Sequence, residues 1–132
     1  MPVAGVGDTA SAEKHVTQDE IETYADVTGD HNPLHLDAEY AADGLFGGVV
    51  AHGMLAAGVV SAALASLPGD VVYVSQDVSF TAPVRPGDTI EAHAEIVEDL
   101  GEDRLRVETT AETENGTVVE GHAVVLSLEH GA

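Results

Sequence analysis

Apolar and polar positions repeat with two different periods along this chain, and the change of period divides it near Gly69. In the first half, Ile21, Tyr24, Ala25 and Thr28 recur at helical spacing. Thr17 with Glu20 three residues on forms a capping box, and Gly29 supplies a C-terminal stop, so a helix is predicted over residues 18–28. Asp37 caps a second, short helix over AEYAAD, closed by Gly44. Residues 45–67 carry no formal charge, which raises the question of a membrane span. Against a span, Gly47, Gly48 and Gly53 interrupt the run, and Asp43 and Asp70 flank it with no basic residue between. The run instead predicts a helix over residues 53–67, apolar all round because it is buried all round, and ended by Pro68-Gly69.

Beyond Gly69 the period is two. Val72, Val74, Val78 and Phe80 are read as one face; so are Ile90, Ala92, Ala94 and Ile96, then Leu105, Val107 and Ala111, then Val118, Val124, Leu126 and Leu128. The turns between them are APVRPGD, EDLGED and ENG, with Asn115-Gly116 giving the strongest type I′ hairpin signal. With a weaker strand over residues 9–16, these segments predict an α+β fold in which an antiparallel sheet curves around one buried helix.

A chain of 132 residues makes one domain, residues 1–132, with a core of Val, Ala, Leu and Ile because aromatics are only 4%. Four Lys plus Arg against 24 Asp plus Glu leave a net charge of −20, which argues against nucleic acid as a partner. The acid is spread along the chain and Lys14 is the only lysine, a surface suited to high salt, where screening mutes repulsion between carboxylates. Cysteine is absent, which removes thiol nucleophiles, thiolate metal sites and disulfides. The N-terminal MPVAGVGDTA has neither a basic nor an apolar export region, so the cytoplasm is the expected location.

Candidate chemistry concentrates in GDHNPLH, residues 29–35. Asn32-Pro33 is expected to hold this segment extended or turned, which lets Asp30 and His35 converge on one water as base and proton donor. The competing reading makes Asp30 an Asx turn and His35 an ordinary loop histidine. His31 and His35 are four apart, but Pro33 between them breaks the helical geometry a metal pair needs, so no metal is expected and His31 is placed in solvent. Gly53 in AHGML opens the buried helix, where a free N–H and the positive end of the dipole suit an oxyanion; tight packing explains a glycine there equally well. Ser61 is either a pocket hydroxyl or bonded to its own helix.

The runs YADVTGDHNPLHLDAEYA and VVAHGMLAAGVVS resemble the (R)-specific enoyl-CoA hydratases of the MaoC-like dehydratase group, also called hydratase 2. The similarity extends from about Gly7 to Leu128 and includes SFTAPVRPGDTIEA. It implies a hot-dog fold, with catalytic roles for Asp30 and His35, Gly53 as backbone oxyanion donor, Ser61 as pocket serine and Asn32 as the motif asparagine, here read first as shaping the loop. It further implies reversible addition of water to a trans-2-enoyl-CoA, with no cofactor beyond the coenzyme A of the substrate, and a homodimer with joined sheets. Such a substrate carries phosphate charge that this acidic chain repels, and Arg85 is the expected partner for it among Lys14, Arg85, Arg104 and Arg106. The resemblance leaves the pathway open, storage-polymer supply included. Two alternatives stand beside it: a hot-dog acyl-CoA thioesterase, and a non-catalytic acyl-thioester-binding module.

Overall fold

The capping box and the stop glycine act where the chain places them. A computed structural model describes residues 1–131, beginning with strand β1 (Thr9–His15) and helix α1 (Gln18–Thr28). The Thr17 hydroxyl accepts the Glu20 N–H at 3.2 Å, and Gly29 closes the helix at a φ of 80°. Two short helices follow, α2 (Pro33–Leu36) and α3 (Ala38–Ala42), the second capped by Asp37, whose Oδ1 accepts the Tyr40 N–H at 3.1 Å. Helix α4 (Gly53–Ala65) precedes β2 (Asp70–Gln76), β3 (Ser79–Phe80), β4 (Thr89–Gly101), β5 (Arg104–Thr113) and β6 (Gly116–Leu128). The strands form one antiparallel sheet in the order β1-β4-β5-β6-β2, with β3 also paired to β6. Among the described residues no helix is long and apolar enough to cross a membrane.

The sheet curls around α4. Val59, Val60, Ala63 and Leu64 of the helix share a core with Ile90, Ala92, Ala94 and Ile96 of β4 and Leu105, Val107 and Ala111 of β5, so the predicted inward faces of these two strands are the observed ones. Burying each Val, Leu or Ile contributes about 1.5–3 kcal/mol, and the alanines allow helix and sheet to approach without aromatic filler. Helix α4 is not covered all round, however: Met54, Gly58, Ala62 and Ala65 form an exposed stripe at helical spacing.

Two strand expectations are corrected by irregular pairing, and one turn expectation by the backbone angles. In β6 the register shifts opposite Ala111 and Glu112, so Val118 and Val119 are both buried and the inward set becomes Ala123, Val125 and Ser127; Val124, Leu126 and Leu128 turn to the outer face. In β2 a shift between Tyr73 and Ser75 leaves Val72, Tyr73 and Val74 exposed on an edge strand, while Val71 and Val78 pack against the core. The type I′ geometry belongs to Glu102-Asp103, with φ of 57° and 64°, and not to Asn115-Gly116, where only Gly116 is positive, at 115°.

The outer face of the sheet is acidic. Glu13, Glu91 and Glu112 stand in one row across β1, β4 and β5, and Glu95 lies opposite Glu108. Like charges placed directly across strands destabilise the pairing. His93, in the next row, has its Nε2 3.5 Å from Glu112 and 3.9 Å from Glu91.

Candidate active site

The turn at GDHNPLH is tighter than extended backbone. Asp30 Oδ1 accepts the Asn32 N–H at 3.3 Å, and Asn32 Oδ1 in turn accepts the Leu34 N–H at 3.0 Å as the N-cap of α2. Pro33 occupies the first helical position, where a missing N–H costs nothing, so the proline starts one helical turn and does not merely prevent helix. That turn aims His35 inward and leaves Asp30 exposed at its mouth. The Asx turn and the convergence of Asp30 with His35 therefore coexist: a carboxylate oxygen of Asp30 and ring nitrogens of His35 and His52 all lie within 4.8 Å of one another. A water that donates to two acceptors spans up to about 5.6 Å, so a separation of this size is one that a single water can bridge.

His35 is buried, and its Nδ1–H donates to the Val50 carbonyl at 2.7 Å. A carbonyl only accepts, so Nδ1 holds the hydrogen and the neutral ring keeps its lone pair at Nε2. Gln18 Nε2 donates to the His35 carbonyl at 3.1 Å and ties α2 to the start of α1. His31, by contrast, faces solvent, with its Nε2 3.1 Å from Asp26 Oδ1; that hydrogen bond holds its pKa above the ordinary histidine value.

His52 is a member of this cluster that sequence reasoning missed. It precedes Gly53 at the cap position of α4, is 2% exposed, and its Nε2–H donates to the Asp30 carbonyl at 3.0 Å. Its ring stacks on His35 with centroids 3.9 Å apart and planes at 28°, and Tyr24 packs tilted on it at 4.6 Å. The signal for His52 was present in the sequence: it is the only titratable side chain in residues 45–67.

Gly53 opens α4 beside a cavity of about 410 Å³, lined by His35, Gly53, Leu34, Phe46, Phe80 and Val118 among others. Its N–H has no acceptor among the described residues and sits at the positive end of the helix. A Cβ at Gly53 would lie 2.8 Å from two carbons of the Phe80 ring, so tight packing and an open N–H apply together. Ser61 lies outside this lining, on the side of α4 toward β2. There the Tyr73 hydroxyl donates to Gln76 Oε1 at 2.9 Å; burial raises its pKa and the adjacent Ser61 hydroxyl offsets part of the rise. Asn32 also lies outside the lining, as does Arg85, whose Nη2–H donates to the Phe46 carbonyl at 2.6 Å and braces the cavity rim. Lys14 pairs with Glu20, Arg106 with Glu98 at 3.0 Å, and Arg104 starts β5 at the end of the sheet remote from Val118.

A family model described as MaoC like domain matches residues 5–119. The chain is 40% identical over 123 residues to a 3-hydroxybutyryl-CoA dehydratase of Methylorubrum extorquens, covering 91% of this chain and 78% of that protein. It is 38% identical over 125 residues to an (R)-specific enoyl-CoA hydratase of Aeromonas caviae, covering 91% and 92% of the two chains. Among solved structures, an unliganded R-hydratase from Pseudomonas aeruginosa superposes with a TM-score of 0.87 at 35% identity, over 98% of this chain and 88% of that one. The curled sheet around α4 is thus the hot-dog fold of these hydratases, and the chain belongs to the MaoC-like dehydratase family.

Proposed function

We propose that this protein is a hydro-lyase that adds water reversibly and (R)-specifically to trans-2-enoyl-CoA thioesters, giving (R)-3-hydroxyacyl-CoA. The relatives named above support the reaction class. The observation that carries the site is the carboxylate of Asp30 within 4.8 Å of a ring nitrogen of His35; His35 and Gly53 line the cavity, and Asp30 stands beside His35 just outside that lining. A water held by Asp30 and His35 presents its oxygen to C3. As that bond forms, the pair takes one proton from the water and negative charge moves to the thioester oxygen, where the Gly53 N–H receives it. Collapse of the enolate then takes a proton back at C2, so the product gains one water in all. Losing a backbone oxyanion donor of this kind typically costs roughly 10²–10³ in rate. The apolar cavity wall suits the hydrocarbon part of the thioester, and Arg85 at the rim is the basic side chain we assign to a phosphate, through the guanidinium N–H groups not used on the Phe46 carbonyl.

The working unit we propose is a homodimer. The open stripe of α4 and the exposed Val72, Tyr73 and Val74 on the edge strand are adjoining apolar surfaces that a second copy would cover. Hydration of crotonyl-CoA, followed as loss of enoyl absorbance, tests the reaction. Asp30→Asn and His35→Ala are each expected to lose at least about 10²-fold in kcat while keeping the circular dichroism of the parent. Full turnover in both variants would refute the mechanism, and release of free thiol in place of hydration would move the protein to the thioesterases.

A further inference from the structure

We propose that His52 is the positioning residue of this site, one imidazole that sets Asp30 through its backbone, His35 through its ring face and the Gly53 N–H through the chain itself. The inference rests on the reading of Asp30 and His35 given above. His52 sits where a capping side chain belongs, yet it makes no cap hydrogen bond. Instead it reaches 22 residues back to the Asp30 carbonyl. A carbonyl only accepts, so Nε2 carries the hydrogen and Nδ1 keeps a bare lone pair. That Nδ1 is the one buried side-chain polar atom without a hydrogen-bond partner among the described residues. An unpaired buried acceptor is a standing cost that a phenylalanine would avoid.

The surroundings indicate what offsets it. The long-range ties of this loop, from the Val50 N–H to the Leu34 carbonyl and from His35 Nδ1–H to the Val50 carbonyl, lie at its far end, and around Asp30 itself the remaining bonds are short-range, from the Asp30 N–H to Thr28 Oγ1 and from the Asn32 N–H to Asp30 Oδ1. The short-range bonds shape the turn without fixing the distance of Asp30 from α4. The His52 N–H fixes that distance, and the same flat ring, packed between Tyr24 and His35, fixes the plane of the His35 imidazole. Turning the ring over would set a C–H against the Asp30 carbonyl, so only one orientation serves. A phenylalanine would supply the ring and lose the tether; glutamine would supply the tether and lose the ring.

His52→Phe is expected to keep or raise the thermal midpoint, because the unpaired nitrogen is gone, while kcat on crotonyl-CoA falls about 100-fold, the loss that a misplacement of about 1 Å brings. KM should change by less than about threefold. His52→Gln should recover kcat to within about tenfold of the parent and keep both limbs of its pH profile. Activity of His52→Phe within threefold of the parent would overturn the proposal, as would the loss of a limb in His52→Gln, which would make His52 a proton carrier. Should His52→Phe fail to fold, His52→Gln against His52→Met poses the same contrast of donor and no donor. Imidazole ¹⁵N spectra of the unmodified protein test the geometry without any assay: a hydrogen on Nε2 of His52 and none on Nδ1 is expected, and the reverse tautomer would sink the inference. A parent protein with no hydratase activity but with the expected tautomer would instead count against the functional reading alone.

Discussion

Adding one methyl at Gly53 tests how the cavity is built. The new Cβ would lie 2.8 Å from two carbons of the Phe80 ring, whereas ordinary contact begins at 3.4 Å. The backbone cannot retreat without unseating His52 and the start of α4. Phe80, 52% exposed on the two-residue strand β3, can move, and it must swing by about 0.6 Å or more. Forcing such a ring off its rotamer costs about 0.5–1.5 kcal/mol, so Gly53→Ala should lower the melting temperature by about 3 °C. The effect on turnover should be larger, because Phe80 and Gly53 line the same cavity. Displacements of this size cost about 10- to 100-fold in kcat/KM, or about 1.4–2.7 kcal/mol of transition-state stabilisation. Phe80→Ala in the same chain removes the obstacle and should return activity to that of Phe80→Ala alone. Steady-state hydration of crotonyl-CoA by the four proteins, with calorimetry on each, gives the coupling directly. A coupling of zero, or a Gly53→Ala protein with full activity, would refute the account of this glycine.

Gly121→Ala should be far more damaging to the fold, because its Cβ would stand 2.0 Å from the backbone oxygen of Asp77, which no side-chain motion relieves; a loss of about 3 kcal/mol or more in denaturant unfolding is expected. His31 and His130 are each raised above 6.5 by a hydrogen bond that the ring donates, to Asp26 and Asp70 respectively, so these pairs favour the folded state below about pH 6.5 and cease to do so as pH rises through the folded values. Proton NMR titration should give both midpoints above 6.5, and Asp26→Asn and Asp70→Asn should each return one of them toward the ordinary value. With a net charge of −20, KM for the thioester should fall as salt is added, and a rise would count against charge repulsion as the obstacle. Val72→Lys with Val74→Lys should convert a dimer to monomer in sedimentation, and an unchanged dimer would place the interface elsewhere.

Much of the fold was legible because its signals are local. Caps at Thr17 and Asp37, the stop at Gly29 and the alternation in β4 and β5 each involve residues close in sequence. What the sequence did not carry was parity across a bulge. One shifted pair in β6 reverses which of Val124 and Val125 points inward, and nothing in TVVEGHAVVLSL marks the shift. EDLGED was legible as a turn but its type was not: Glu102, which has little preference for positive φ, adopts it with Asp103 because the two-residue loop demands it. At the site, the approach of Asp30 to His35 could be read from the proline between them, although the proline acts by opening α2. The tertiary contacts could not be read. His52 meets Asp30, Tyr24 and His35 only after α1, α2 and α4 have packed, and Arg85 finds the Phe46 carbonyl only across the finished rim.

The row of Glu13, Glu91 and Glu112 bears on how such a molecule comes apart. Strand β1 is bonded to the sheet along one side only, and its rung to β4 sets carboxylate against carboxylate. Dilution of the surrounding ions would therefore peel the N-terminal arm first and leave β5, β6 and the cavity intact until later. A preparation desalted too far would lose its margin before its chemistry, and amide exchange spreading inward from residues 9–15 would be the early warning.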